Sequence, residues 1–153
     1  MEQKEIVRLF EEYADDVYRL ALSYTKSVQE AEDVCQTVFL KAMEQTSVMP
    51  GKERAWLMQV AANECRSLLR SAWWKRTAPM EACTAAAPEP AGSMLEELLA
   101  LKPKYRVVLY LHYYEGSTTT EIARMLHITR SAVTTRLSRG RQLLKERLKE
   151  ETV

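Results

Sequence analysis

Residues 118–141 read TTTEIARMLHITRSAVTTRLSRGR, and their spacing decides how the second half of the chain folds. Thr118-x-x-Glu121 is a capping box, in which each side chain can satisfy a backbone N–H left free by the first helical turn. A short helix follows, with Ile122, Ala123 and Leu126 facing inward. His127-Ile128-Thr129 makes a tight connection, and Thr129 can cap a longer helix whose inner side carries Val133, Leu137, Leu144 and Leu148. This is the pattern of a helix-turn-helix, with Ala123 as the small residue that lets the two helices cross closely. The second helix of such a unit can enter a major groove N-terminus first. Arg130, Ser131, Thr134 and Thr135 would then face base edges, while Arg136, Arg139 and Arg141 reach phosphates. Between residues 124 and 149 there are eight basic groups against the single acid Glu146. A plain amphipathic helix with a solvated basic face would explain the charge but not the caps and the spacing.

Upstream of this stretch, Ser93-x-x-Glu96 is a second capping box, opening a short helix that ends near Leu101. Pro103 suits the first turn of the next helix, where its missing N–H is no loss. Val107, Val108 and Leu111 bury one side of that helix, and Glu115-Gly116 ends it. Residues 77–92 hold Pro79, Pro88 and Pro90 with few large apolar groups, which predicts a mobile linker.

Ahead of the linker the spacing predicts three helices. The first runs from about Lys4 to Lys26, with Ile6, Phe10, Tyr13, Val17, Leu20 and Tyr24 as its apolar stripe. The second starts at the capping box Ser27-x-x-Glu30, with Ala31, Val34, Cys35, Val38 and Ala42 inward. After a break containing Pro50-Gly51, the third starts near Glu53, with Leu57, Val60, Ala61, Cys65, Leu68 and Leu69 at helical spacing. The expected fold is all-α: two small helical domains, 1–76 and 93–153, joined by the flexible linker 77–92. Each is small enough to need a tightly packed bundle.

The chain has 153 residues and a formal net charge of +1, which taken whole argues against nucleic acid as a partner. Its distribution argues the other way. Residues 1–49 carry 5 basic and 10 acidic groups, whereas residues 50–76 carry 6 and 2. The third helix mixes Arg54, Arg66, Arg70, Lys75 and Arg76 with Trp56, Trp73 and Trp74. Such a mixture suits opened nucleic acid, where bases stack and phosphates pair, and it equally suits a core tryptophan and an ordinary helix end. The acidic groups Asp15, Asp16, Glu30, Glu32 and Asp33 suit either a protein-docking face or a solvated one. No apolar run approaches the ~18 residues of a membrane helix, and Met1–Glu5 does not read as a secretory signal. Cys35, Cys65 and Cys83 form no disulfide framework, so reduced thiols in the cytoplasm are expected. His112 and His127 are the only histidines, and no metal-ligand spacing or nucleophile motif surrounds them. Neither a cofactor nor a metal is expected.

Three motifs in order resemble the extracytoplasmic-function (ECF) type of the bacterial sigma-70 family of RNA polymerase sigma factors. Ala31-Glu32-Asp33 through Gln36, Phe39 and Ala42 resembles the helix that binds core polymerase. Ala55-Trp56-Leu57 through Ala61 and Asn63 resembles the segment preceding the promoter −10 contacts, and Glu115-Gly116 through Leu137 resembles the −35-binding region. The resemblance implies regions 2 and 4 of that family, no catalysis by this chain, and core RNA polymerase and promoter DNA as partners. It also implies an anti-sigma factor of the kind such proteins often have, and a monomer when free. Carried over by position, Asp33, Gln36 and Phe39 lie on or behind the polymerase-docking face. Trp56, Asn63, Arg66, Ser67 and Arg70 lie toward the −10 strand, with the loop 45–54 holding a flipped base. Arg130, Ser131, Thr134, Thr135, Arg136, Arg139 and Arg141 lie toward the −35 duplex. The short chain also lacks the extra regions of housekeeping sigma factors, which implies an alternative promoter set.

Three residues depart from the family's pattern: Thr134 where lysine is frequent, His127 where a turn glycine is frequent, and Gly140 where alanine is common. On helix propensity alone Gly140 costs roughly 0.5–1 kcal/mol. The competing reading is a self-contained dimeric helix-turn-helix regulator, which would bind a palindrome without polymerase.

Overall fold

The computed structural model describes residues 2–46, 50–75 and 93–151, all of whose regular elements are helical. The expected linker 77–92, with Cys83, lies outside the described residues, as do Arg76, the side chains of Trp73, Trp74 and Lys75, and part of the loop 45–54. The chain divides into two compact units between residues 85 and 86. No described helix is long and apolar enough to cross a membrane.

The first unit is a bundle of α1 (Gln3–Thr25), α2 (Val28–Met43) and α3 (Glu53–Lys75). The turn between α1 and α2 is two residues long because Lys26 takes a left-handed conformation, φ 58°, and donates its N–H to Leu22 O at 2.9 Å. Ser27 then caps α2, its Oγ accepting the Glu30 N–H at 3.2 Å. The expected return bond from the Glu30 side chain is replaced: the Ser27 N–H goes to Thr25 Oγ1 at 3.3 Å. Thr25 is better placed because it ends the preceding helix, one step across the turn.

Leu9, Val17, Leu20, Ala21 and Tyr24 of α1 meet Ala31, Val34, Val38, Phe39 and Ala42 of α2 and Leu57, Met58, Ala61, Ala62 and Cys65 of α3. The many alanines in this core let the helices approach closely. The α1 stripe places Phe10 inward, but Phe10 is 49% exposed; Leu9 takes the inward place, and Phe10 lies edge-on to Phe39 with ring centroids 5.1 Å apart. Trp56 is half-buried, so it is not a full core residue. Burial pushes the Cys65 thiol up to about 12, as expected for a cysteine acting as a small core residue.

The second unit comprises α4 (Ser93–Leu99), α5 (Pro103–Leu109), a π-helical turn (Tyr110–Tyr114), α6 (Thr119–Leu126) and α7 (Arg130–Glu151). Pro103 stands in the first turn of α5. The helix does stop at Glu115-Gly116, but through a π turn that the apolar spacing does not reveal. There the Glu115 N–H reaches Tyr110 O at 3.2 Å, Tyr110 Oη donates to Glu115 Oε2 at 2.6 Å, and Gly116 supplies a positive φ of 70°. Both halves of the Thr118/Glu121 capping box are made, at 3.1 and 2.8 Å. His127 is left-handed, φ 59°, and Thr129 Oγ1 accepts the Ala132 N–H at 3.0 Å to start α7. Ile122, Met125, Leu126, Val133 and Leu137 share a core with Val107, Val108, Leu109 and Leu111.

Leu144 and Leu148, expected on the inner side of α7, are half-buried. They line an apolar cavity of ≈ 450 Å³ with Leu98, Leu109, Tyr113 and Tyr114. Gly140 has a packing role: a Cβ there would lie 3.0 Å from Leu109 Cδ1 and 3.4 Å from Tyr105 Cβ. Its reading as a plain helix cost is therefore incomplete, because the missing side chain is what lets α5 lie this close to α7.

Candidate nucleic-acid interface

Opposite its buried stripe, α3 presents one face carrying Trp56, Asn63, Arg66, Ser67 and Arg70, spaced by three, four and seven residues. Asn63, Ser67 and Arg70 are exposed, while Trp56 and Arg66 are half-buried. Arg66 is held from two sides: Nη1 donates to Tyr24 Oη at 3.2 Å and Nη2 to Asn63 Oδ1 at 2.9 Å. Arg54 is not part of this face, because its Nε bonds Asp16 Oδ2 at 2.8 Å. Charges that look like separate features in the sequence are therefore one cluster, because Asp16 Oδ1 also accepts from Arg19 Nη2 at 2.9 Å. Similarly, Arg8 bonds Glu53 at 2.7 Å, and Lys41 pairs with Glu64 across α2 and α3.

On α2, Asp33 and Gln36 are exposed and Phe39 is buried behind them at 6% exposure. Leu40 and Met43, which the sequence motifs do not single out, share that exposed face and are 60% and 53% exposed. Their signal was available: both fall outside the stripe formed by Val34, Val38 and Ala42.

On α7 the residues assigned to DNA separate into groups. Ser131, Thr135, Arg136 and Arg139 line a polar concavity of ≈ 380 Å³ together with Lys104 and Tyr105 of α5. Arg130 and Thr134 are exposed one helical step to the side, and Thr134 Oγ1 donates to Arg130 O at 3.1 Å. Arg141 is on the far flank by the apolar cavity, where its Nη1 donates to Tyr113 Oη at 2.9 Å. Lys104 and Tyr105 escape a sequence reading because they precede the helix-turn-helix and look like ordinary first-turn residues. A hydrogen bond from Arg139, with Lys104 nearby, holds the Tyr105 phenol below its ordinary value. The Lys104 Nζ lies 5.1 Å from the Tyr105 ring centroid. Among the described residues, no three His, Cys, Asp or Glu side chains are grouped to hold a metal ion.

Residues 9–75 match Sigma-70 region 2, and residues 91–144 match Sigma-70, region 4. The chain is 30% identical over 155 residues to the ECF RNA polymerase sigma factor SigL of Mycobacterium tuberculosis, covering 93% of this chain and 88% of that protein. The chain belongs to the ECF sigma factors. SigW of Bacillus subtilis is 29% identical over 160 residues. The Probable RNA polymerase sigma factor RfaY of Xanthomonas campestris is 30% identical, with only 37% of its length spanned. Among solved structures, the sigma factor RpoE from Bartonella quintana, crystallised with the anti-sigma factor NepR, aligns with a TM-score of 0.77 at 22% identity. It covers 95% of this sigma factor, and 98% of the RpoE chain is matched. CnrH, in complex with the cytosolic domain of CnrY, aligns at 0.69 and 22% identity. Similarity extends over both units, which does not favour a self-contained dimeric helix-turn-helix regulator.

Proposed function

We propose that this alternative sigma factor binds core RNA polymerase, recognises −10 and −35 promoter elements, assists melting and so starts transcription. Residues 1–76 act as region 2, 93–153 as region 4 and 77–92 as the linker. Asp33 and Gln36 contact core polymerase, with Phe39 supporting them from behind. Trp56, Asn63, Arg66, Ser67 and Arg70 take the opened −10 strand, and Arg130, Ser131, Thr134, Thr135, Arg136, Arg139 and Arg141 serve the −35 duplex. A pocket for an extruded base offsets an unstacking cost of a few kcal/mol, so melting at this site needs no fuel and no catalytic residue. The site of action is the cytoplasm, and an anti-sigma factor is a further partner.

The observation that carries this reading is the sorting of surface chemistry by helix: acid and amide on α2, aromatic with amide and guanidinium on α3, hydroxyl and guanidinium on α7. Each suits one of three different partners. The test is capture of core RNA polymerase by the tagged full chain, followed by start-site mapping on overexpression. Recovery of core, and start sites sharing two spaced elements, is the expected result. A chain that fails to retain core polymerase, or that binds a palindrome as a dimer without it, ends the reading.

A further inference from the structure

The polar concavity of the second unit joins side chains from two helices that the helix-turn-helix motif does not connect. Ser131, Thr135, Arg136 and Arg139 come from the first three turns of α7; Lys104 and Tyr105 come from the start of α5. The surface they share depends on how closely α5 lies against α7, and Gly140 sets that approach. A Cβ at 140 would be 3.0 Å from Leu109 Cδ1 and 3.3 Å from its Cγ, tighter than unstrained packing allows. Tyr105 is almost buried, at 9% exposure, so its ring is fixed in place beside Arg139 in the concavity, and the neighbouring guanidinium holds the phenol below its ordinary value. A phenol restrains the guanidinium without neutralising it. Lys104 is exposed at the rim of the concavity, with the ring beneath it.

We propose that Lys104, Arg136 and Arg139 form a clamp for one backbone phosphate of duplex DNA, with Tyr105 as the positioning residue for Arg139 and Gly140 as the gap that brings the two helices together. The proposal rests on the reading of α7 as the duplex-binding helix and extends it to α5. Ser131 and Thr135 line the same concavity, so their hydroxyls are available to the phosphate oxygens. The clamp carries no base readout. It fixes the register of α7 on the duplex, while Arg130 and Thr134 stay free to face base edges.

The test uses the full chain and a labelled 30-base-pair duplex of mixed sequence, with affinity followed from low to moderate salt. For every phosphate no longer neutralised, the slope of log K against log salt becomes shallower by about 0.9. Lys104→Ala is expected to remove about one such unit, and Lys102→Ala, an exposed neighbour outside the concavity, none. Tyr105→Phe keeps the ring and the charge and is expected to lower affinity several-fold, with an unchanged melting temperature. Gly140→Ala should fall between wild type and Lys104→Ala. A Lys104→Ala slope equal to wild type, or equal losses from Lys102→Ala and Lys104→Ala, overturns the clamp. Arg136→Ala separates the two readings: if it flattens the slope while Lys104→Ala does not, the clamp alone fails. If neither does, or the wild-type chain does not bind the duplex, the duplex-binding reading of α7 falls with it.

Discussion

Arginines in the two units are held by different kinds of partner. In the first unit Arg54 bonds the Asp16 carboxylate at 2.8 Å and Arg8 bonds the Glu53 carboxylate at 2.7 Å. In the second, Arg139 lies beside the Tyr105 phenol in one concavity, and Arg141 bonds the Tyr113 phenol at 2.9 Å. A carboxylate orients a guanidinium and cancels its charge, while a phenol orients it and leaves the charge for a phosphate. Arg147, whose partner is Glu97 at 2.7 Å, lies in the last turns of α7, away from the concavity. The same residue type thus fastens helices in one unit and stays available to a nucleic acid in the other. Arg66 falls between these cases, since Tyr24 and Asn63 hold it without cancelling its charge, as suits a −10 contact.

The contrast can be broken or sharpened by variants of decreasing effect. The largest change is expected from Leu20→Ala, which empties a fully buried place in the first unit and costs about 2–5 kcal/mol. Chemical denaturation should show that loss, while the salt slope of duplex binding stays at the wild-type value. A changed slope would mean that the first unit also carries duplex contacts.

Next is a pH effect at Cys65. Its folded pKa, about 12, is above that of the unfolded thiol, so its stabilisation is complete below the unfolded value and is lost as pH rises. By pH 10 the wild type should lose roughly 1.5–2 kcal/mol more, relative to pH 7, than Cys65→Ala loses. Equal losses in the two proteins would show that the thiol ionises freely in the folded chain.

Thr118→Ala comes third. It removes the cap of α6 and is expected to cost about 1 kcal/mol, read as a lower midpoint of unfolding for the second unit. Asp16→Asn is expected to cost under about 1 kcal/mol, because the pair with Arg54 is partly exposed. It also frees Arg54, so duplex affinity should hold or rise; a fall would contradict the fastening role. Smallest is Tyr113→Phe, with no change in salt slope, because Arg141 keeps its charge for a phosphate. A slope flattened by a full unit would mean that Arg141 reaches its phosphate only when the Tyr113 phenol holds it.

Some features are legible in the chain of residues because they are local. Thr118-x-x-Glu121 closes on itself within one turn, and both of its bonds are made. His127 stands where a turn glycine is frequent in the family, and it takes the left-handed conformation that glycine favours. Other features depend on what a neighbour offers. Ser27 reads as half of a reciprocal box, yet Thr25 supplies the second bond from across the turn. Phe10 and Leu9 are adjacent on α1, and the stripe alone favours the wrong one; packing against Phe39 and the rest of the bundle places Leu9 inward.

The sequence by itself determined the helices, most of their ends, the division into two units and the charge carried by each face. These follow from side-chain periodicity and from capping bonds that span three or four residues. Tertiary structure decided which charges are spent on the fold and which remain for a partner. Asp16 and Arg54 are 38 residues apart, and Tyr105 and Arg139 line one concavity because Gly140 leaves room between α5 and α7. Periodicity reports which face a residue occupies, and a partner on another helix is set by how the faces pack.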